Sequence, residues 1–107
     1  MLEDRQIREE IIGIVAELCP RATLILFGSR AKEKNSFNSD FDLVIRSEER
    51  IGTGLYFQLL ERVEILDTLK NIEIIDYHDL DEDFRRIVAE EGITWYDGSS
   101  ADTVGKV

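Results

Sequence analysis

Two aspartates stand at the start of an apolar run in the first half of the chain. Asp40 and Asp42 are separated by one residue and lead into the run 43–45, which has the composition of a strand. Side chains alternate along a strand, so both carboxylates point to the same face. Two neighbouring anions repel each other, whereas a divalent cation binds several anionic oxygens at close range. The pair therefore predicts a site for a divalent metal ion.

A glycine and a serine end the preceding apolar run, and a polar, helix-compatible segment follows them. Gly28 can take up backbone conformations closed to other residues and lets a ligand approach the main chain. Ser29 is placed to cap a short helix over 29–34, and helix N-termini attract phosphate. Arg30 and Lys32 add positive charge there. These residues predict a triphosphate at a strand-to-helix turn, close to metal held by the two aspartates.

A structural interpretation competes with this chemical one. A strand, a turn and a second strand with acidic residues at its mouth would explain either motif alone. It explains less well why both motifs occur together, ten residues apart, between two strands of apolar residues.

The two motifs together resemble the signature of the DNA polymerase beta-like nucleotidyltransferase superfamily. In this chain Gly28-Ser29 is followed by ten residues and then by Asp40-Phe41-Asp42. Within the superfamily that spacing is similar to the minimal nucleotidyltransferases (MNT), and the resemblance covers most of the chain up to residue 97. It implies ATP as the substrate and two Mg²⁺ ions as cofactors.

The resemblance also implies a role for individual residues. It implies nucleotide binding by Gly28, Ser29, Arg30, Lys32 and Ser39. Of these, the glycine and the first serine would bind the β- and γ-phosphates. In this superfamily a third carboxylate comes from a neighbouring strand, where the family often reads Val-Asp-Val-Val-Asp-Trp. When this pattern is aligned with the predicted strand 71–77, the third carboxylate falls on Glu73. The resemblance therefore implies that Asp40, Asp42 and Glu73 are the catalytic and metal-binding residues. The family usually has Asp at that position.

Asp76 is the alternative third acid. It lies three residues from Glu73, and an odd separation along a strand places two side chains on opposite faces. We interpret Asp76 as a structural acid at the end of the strand, close to the N-terminus of the next helix.

Hydrophobic periodicity predicts the elements that must position these residues. Helices are predicted over 3–18, 29–34, 56–69 and 80–91, and strands over 22–27, 40–46, 71–77 and 93–96. The continuous apolar run 22–27 favours a central strand, and 93–96 favours an edge strand. The pattern, with the resemblance, predicts an α+β fold (an α/β sandwich) with a small mixed sheet of three or four strands packed against about four helices.

Several details of this prediction can be checked residue by residue. Leu66 and Leu69 are assigned to the buried stripe of the helix 56–69. Phe84, Ile87 and Val88 are assigned to the buried face of the last helix, with Asp79 and Glu82 as its capping box and Gly92 as its C-terminal stop. Cys19 is predicted to be a small core residue, Trp95 and Tyr96 to cover the core, and His78 to lie at the surface.

Length, charge and cysteine content narrow the functional classes. The chain of 107 residues predicts one domain, 1–97, with a flexible tail, 98–107. A net charge of −10 argues against direct binding to nucleic acid and allows a basic protein partner. The single cysteine excludes an internal disulfide and a cysteine-based zinc site. No signal peptide or membrane span is predicted, so we expect a cytoplasmic protein.

The resemblance implies an enzyme that moves AMP from ATP to a hydroxyl group. No domain that clamps an acceptor is predicted, so another polypeptide would present it. Minimal nucleotidyltransferases are typically encoded with HEPN proteins, and in characterised pairs the MNT antitoxin adenylylates a tyrosine of the HEPN toxin. The alternatives are a catalytically weak module that neutralises a HEPN partner by binding, and an antibiotic nucleotidyltransferase. The sequence does not distinguish a hetero-oligomer from a homodimer.

Overall fold

A four-stranded mixed sheet is the framework of the molecule. The computed structural model describes residues 1–27 and 41–99. Its strands are β1 (Thr23–Phe27), β2 (Phe41–Arg46), β3 (Ile72–Asp76) and β4 (Ile93–Asp97), in the order β3-β2-β1-β4. β1 is antiparallel to β2 and to β4, whereas β2 and β3 are parallel. The central position of β1 and the edge position of β4 are therefore confirmed.

Three α-helices and one short 3₁₀ helix accompany the sheet among the described residues. They are α1 (Asp4–Leu18), α2 (Thr53–Glu64), the 3₁₀ helix Tyr77–Asp79, and α3 (Glu82–Glu91). The predicted α+β fold with a mixed sheet is confirmed. The predicted short helix over 29–34 and the loop that follows lie outside the described residues. No helix in the described part of the chain is both long and apolar enough to span a membrane.

Two apolar clusters hold the helices on opposite faces of the sheet. On one face, α1 and α2 pack against the larger cluster, whose fully buried members include Ile7, Ile11, Leu24, Leu43 and Leu59. On the other face, Val88 of α3 packs with Ile25 and Val44. Because side chains alternate along β1 and β2, neighbouring apolar residues of each strand serve different clusters. This double burial explains the continuous apolar runs of both strands.

The predicted limits of α2 are wrong at both ends. The helix begins three residues earlier than predicted, because Gly52 acts as its N-cap in extended conformation. It ends at Glu64, where the Leu66 N–H donates to the Val63 carbonyl at 3.1 Å and tightens the last turn. Leu69 is consequently outside the helix and 85% exposed, which contradicts its assignment to the buried stripe. Leu66 stays half-buried against the larger cluster.

The start of α3 also differs from the prediction. Its N-cap is Asp81, whose side chain accepts a hydrogen bond from the Phe84 N–H at 2.8 Å. The predicted capping box is wrong because Asp79 belongs to the 3₁₀ helix and forms an ion pair with Arg50. Of the three predicted inward residues of α3 only Val88 is fully buried. Phe84 and Ile87 are 37% and 46% exposed.

Gly92 ends α3 as predicted, but for a different physical reason. Its φ is −71°, so the left-handed conformation that favours glycine at helix ends is not used. A Cβ at this position would come within 2.5 Å of Cγ2 of Ile25. Glycine is required here by the close approach of the chain to β1 as it enters β4.

Predictions for single residues and for the C-terminal tail agree only in part with the structure. Cys19 is buried and Trp95 and Tyr96 cover the larger cluster, as predicted. His78 is half-buried, not at the open surface, and its Nε2 donates to the Ser47 carbonyl at 3.0 Å. The Gly98 N–H donates to a carbonyl of the α1–β1 corner at 2.9 Å. The predicted tail is thus anchored at its first residue, and its part beyond residue 99 lies outside the described residues.

Candidate active site

Two of the predicted catalytic acids lie side by side at one end of the sheet. Asp42 of β2 is the register partner of Glu73 in the parallel strand β3. Side chains of register partners point to the same face, and neighbouring strands lie about 4.8 Å apart. Asp42 is half-buried and Glu73 is exposed. Two carboxylates in this arrangement can contribute oxygens to one cation or stand on either side of a reacting group.

The face of the sheet that carries this pair is the one on which α3 packs. Val44 lies two residues after Asp42 and therefore on the same face, where it contacts the α3 cluster. Asp42 is also the register partner of Phe27, the last residue of β1. β1 therefore ends, and β2 begins, at the end of the sheet that bears Asp42 and Glu73.

The side chain of Asp76 lies on the opposite face of β3 from that of Glu73. It is 5% exposed and its two carboxylate oxygens accept hydrogen bonds from the main-chain N–H groups of Ile51 and His78, each at 2.9 Å. The prediction that Glu73 and Asp76 face opposite sides is confirmed. The two main-chain hydrogen bonds of Asp76 at the strand end are of the kind expected for a structural acid. Its carboxylate joins β3, the 3₁₀ helix and the connection that leads into α2.

Negative charge is concentrated around β3. The hydroxyl of Tyr56 on α2 donates to the Ile74 carbonyl at 2.6 Å. Burial raises the pKa of the Tyr56 phenol above its ordinary value, and the charges of Asp79, Glu73 and Asp76 raise it further. Burial and these neighbouring carboxylates both disfavour the negatively charged phenolate form of Tyr56.

Most of the predicted site lies outside the described residues. These residues are Gly28, Ser29, Arg30, Lys32, Ser39 and Asp40. Within the described ranges, no group of three or more potential metal ligands occurs. Asp42 and Glu73 are therefore the described part of a candidate metal site whose predicted third ligand is Asp40. The residue types fit Mg²⁺, which prefers carboxylate oxygens.

An aromatic pair beside Asp42 was missed by sequence reasoning. Phe27 shares the face of Asp42, and Phe84 of α3 packs edge-on against it with ring centroids 5.5 Å apart. This pair provides an apolar wall on the β1 side of the candidate site, whereas Glu73 stands on the other side. The signal for it is the four-residue spacing between Phe84 and the buried Val88, which places both on one helix face.

Comparisons with known proteins agree with the fold and with the motif. The family model described as "Polymerase beta, Nucleotidyltransferase" matches residues 9–101. A probable protein adenylyltransferase MntA from Haemophilus influenzae is 36% identical over 75 residues. That alignment covers 70% of this chain and 66% of the relative, just under two thirds of its length.

Solved structures show the same fold at low sequence identity. A chain in the crystal structure of a toxin–antitoxin complex with AMP-PNP superposes with a TM-score of 0.69 at 18% identity, covering 91% of this chain and 78% of that one. A chain in the complex of a tri-AMPylated Shewanella oneidensis HEPN toxin with its MNT antitoxin gives 0.67 at 15% identity, covering 95% and 79%. Because the family model matches most of its length, the chain belongs to the polymerase beta-type nucleotidyltransferases.

Proposed function

We propose that this protein transfers AMP from ATP to a hydroxyl group of a protein partner in a reaction that depends on a divalent metal. The observation that carries the proposal is the register of Asp42 against Glu73, which places two carboxylates on one face at the sheet end where β1 stops. The family match supports nucleotidyl transfer, and the relative named a probable protein adenylyltransferase supports a protein acceptor.

The reaction assigns a task to each acid. The acceptor oxygen attacks the α-phosphorus of ATP, a new P–O bond forms, and the bond to pyrophosphate breaks. Glu73 accepts the proton of the acceptor hydroxyl, because it is exposed and stands on the outer strand beside Asp42. Asp40, Asp42 and Glu73 would hold Mg²⁺, which neutralises phosphate charge and orients the triphosphate when bound.

The remaining assignments follow the predicted motif. Gly28 and Ser29 bind the β- and γ-phosphates, with Ser39 beside them. Arg30 or Lys32 offsets the charge that develops on the leaving pyrophosphate. Two metal ions are proposed, by analogy with other phosphoryl-transfer sites that clamp both attacking and leaving oxygens.

The proposed acceptor is a tyrosine of a HEPN toxin, for which this protein acts as antitoxin in the cytoplasm. Two structural neighbours belong to toxin–antitoxin complexes, and one of these holds an AMPylated HEPN toxin. A net charge of −10 suits a partner with a basic surface. The assembly with that partner is proposed as a hetero-oligomer, with a homodimer as the alternative.

The experiment is transfer of radiolabel from [α-³²P]ATP to the HEPN partner in the presence of Mg²⁺. Asp42→Asn and Glu73→Gln should each lower the transfer rate at least about 100-fold, as expected for groups that act in the chemical step. Glu61→Gln, on the exposed surface of α2, is the matched control and should leave the rate unchanged. EDTA should abolish both transfer and ATP binding measured by calorimetry.

A second candidate function is neutralisation of the partner by binding alone. It is favoured by Glu73 at a position where the family usually carries Asp. Transfer of label by the wild type would exclude neutralisation by binding alone. If the wild type and Glu73→Gln both suppress toxicity and neither transfers label, neutralisation by binding replaces AMP transfer as the proposed function. Glu73→Asp refines the result, because activity equal to or above that of the wild type would show that the longer side chain is a functional equivalent.

A further inference from the structure

Three large apolar side chains near the start of β3 are more exposed than any others in the described part of the chain. Met1, Ile65 and Leu69 are 75%, 79% and 85% exposed, and the next in order, Phe57, is 57% exposed. Ile65 is the C-cap of α2, and Leu69 lies in the connection from α2 to β3. We call Met1, Ile65 and Leu69 the apolar patch. Exposed apolar surface with polar neighbours often marks a site of protein–protein contact.

The N-terminal residues group the apolar patch around Asp67. The amino group of Met1 pairs with the Asp67 carboxylate at 3.0 Å, and the Leu2 N–H donates to the Asp67 carbonyl at 2.8 Å. Ile65 and Leu69 stand two residues before and two residues after Asp67. The three apolar residues therefore belong to one small region of the surface, although Met1 is distant from the others in the sequence.

Hydrogen bonds and an ion pair hold the connection that carries the apolar patch. The Thr68 N–H donates to the Leu66 carbonyl at 2.8 Å, and the Lys70 N–H donates to Oγ1 of Thr68 at 3.1 Å. The Lys70 ammonium group is ion-paired with Asp4 at the start of α1. The patch is therefore part of an ordered surface, and an ordered surface loses less conformational entropy when a partner binds.

The apolar patch adjoins the candidate active site. The Asn71 carbonyl accepts a hydrogen bond at 2.9 Å from the N–H of Phe41, the residue before Asp42. Leu69 precedes Glu73 by four residues, and four residues span at most about 14 Å even when fully extended. A protein that covers the patch would therefore bring its own surface residues close to the two acids.

Local charge does not select the occupant, because acids and cations near the patch are equal in number. In residues 1–5 and 62–70, Glu3, Asp4, Glu64 and Asp67 stand against Arg5, Arg62, Lys70 and the N-terminal amino group. Three of those four cations are ion-paired, with Glu17 as the partner of Arg62. Apolar burial must therefore provide the attraction. A second copy of this chain is disfavoured as the occupant, since two chains of net charge −10 repel each other.

We propose that the apolar patch is a docking surface for the protein that accepts AMP. The partner covers it with apolar side chains close to its acceptor hydroxyl, and this contact holds the hydroxyl beside Glu73. The identity of the partner rests on the proposed function. Docking and transfer can nevertheless be tested apart, because they depend on different residues of this chain.

Calorimetric titration with the HEPN partner tests the docking. The double variant Ile65→Gln/Leu69→Gln should bind the partner at least about tenfold more weakly, as expected for loss of two apolar contacts at an interface. It should raise KM for the protein acceptor by a similar factor and leave kcat, the affinity for ATP and the midpoint of urea unfolding unchanged. Ile87→Gln is the matched control, because Ile87 is an exposed isoleucine (46%) of α3 on the opposite face of the sheet. It should bind the partner like the wild type.

Met1 provides a direct spectroscopic reporter, since it is the only methionine. Protein labelled with ¹³C in the methionine methyl group gives a single signal at the apolar patch. That signal should shift when the partner is added to the wild type, to Ile87→Gln or to Glu73→Gln. With the Ile65→Gln/Leu69→Gln variant it should shift only at a correspondingly higher partner concentration.

The outcomes separate the docking proposal from the proposed function. If Glu73→Gln binds the partner and the double variant does not, the docking surface stands even where the wild type transfers no label. If the double variant binds as tightly as the wild type, or the wild type does not bind, the docking proposal is overturned. It is also overturned if sedimentation shows that the wild type alone self-associates and that the double variant is a monomer, because a second copy would then cover the patch.

Discussion

Glu73 and Asp76 are three residues apart on one strand, and the structure predicts opposite consequences of neutralising them. Asp76 is 5% exposed and accepts two main-chain hydrogen bonds at 2.9 Å. In Asp76→Ala both donors lose their acceptor, and each lost partner of a buried group costs about 1–3 kcal/mol. We expect the free energy of unfolding to fall by about 2–4 kcal/mol, a large part of the roughly 5–15 kcal/mol of a typical domain.

Two further variants separate the loss of charge from the loss of the hydrogen bonds. Asp76→Asn retains one oxygen acceptor and should cost about 1–2 kcal/mol. Glu73→Gln changes an exposed side chain and should alter stability by less than ~0.5 kcal/mol. In the transfer assay the order reverses, because Glu73→Gln removes the proposed proton acceptor while Asp76→Asn, where folded, keeps it.

Urea unfolding monitored by Trp95 fluorescence provides the stability measurement. Trp95 is the only tryptophan and packs edge-on against the buried Phe41 with ring centroids 5.8 Å apart, so its emission reports on the larger core cluster. The reasoning is refuted if Asp76→Ala unfolds at the same urea concentration as the wild type. It is also refuted if Glu73→Gln is destabilised as strongly, since Glu73 would then be a structural residue.

Three further outcomes are expected. Gly92→Ala should lower the free energy of unfolding by about 1–3 kcal/mol, because the new Cβ would overlap Ile25. Gly54→Ala, where a Cβ meets no neighbouring atom, should be neutral or stabilising by up to ~1 kcal/mol. Urea unfolding of both variants measures the difference. Tyr56→Phe should cost about 1 kcal/mol by loss of its hydrogen bond to β3. Folding raises the pKa of the Tyr56 phenol, so ionisation of this phenol favours the unfolded state. The stability of the wild type should therefore fall above about pH 10, and the stability of Tyr56→Phe should fall less. Cys19 should react with iodoacetamide at pH 8 far more slowly in the native protein than in urea, since burial raises its thiol pKa.

The sequence predicted the elements better than their ends. The apolar runs of β1 and β2 and the helical spacing in α1 are strong local signals, and these elements appear within one residue of the prediction. The start of α2 was misjudged because the two glycines at 52 and 54 resemble a loop. Its end was misjudged because Leu66 and Leu69 continue the helical period. A tertiary contact acts there instead, since the Leu2 N–H donates to the Asp67 carbonyl at 2.8 Å.

The candidate site shows a similar division between local and long-range information. Strand parity is local, so the sequence could place Glu73 and Asp76 on opposite faces. Which strand lies beside β3 in the sheet is not encoded locally. The pairing of Asp42 with Glu73 depends on β2 being that strand. Only the resemblance to a known family supplied that neighbour. A cavity also forms between residues 19–23 and residues 46–52, and it could not be predicted because these two segments meet only in the folded chain.

The structural acid and the proposed catalytic acid depend on each other through strand register. A slip of one residue between β2 and β3 would turn Glu73 away from Asp42, because side chains alternate along a strand. Asp76 resists such a slip, since it is tied to the main chain of Ile51, which leads from β2 into α2. His78 adds a second tie to that connection. The buried carboxylate of Asp76 thus helps to fix the strand alignment on which the proposed role of Glu73 depends.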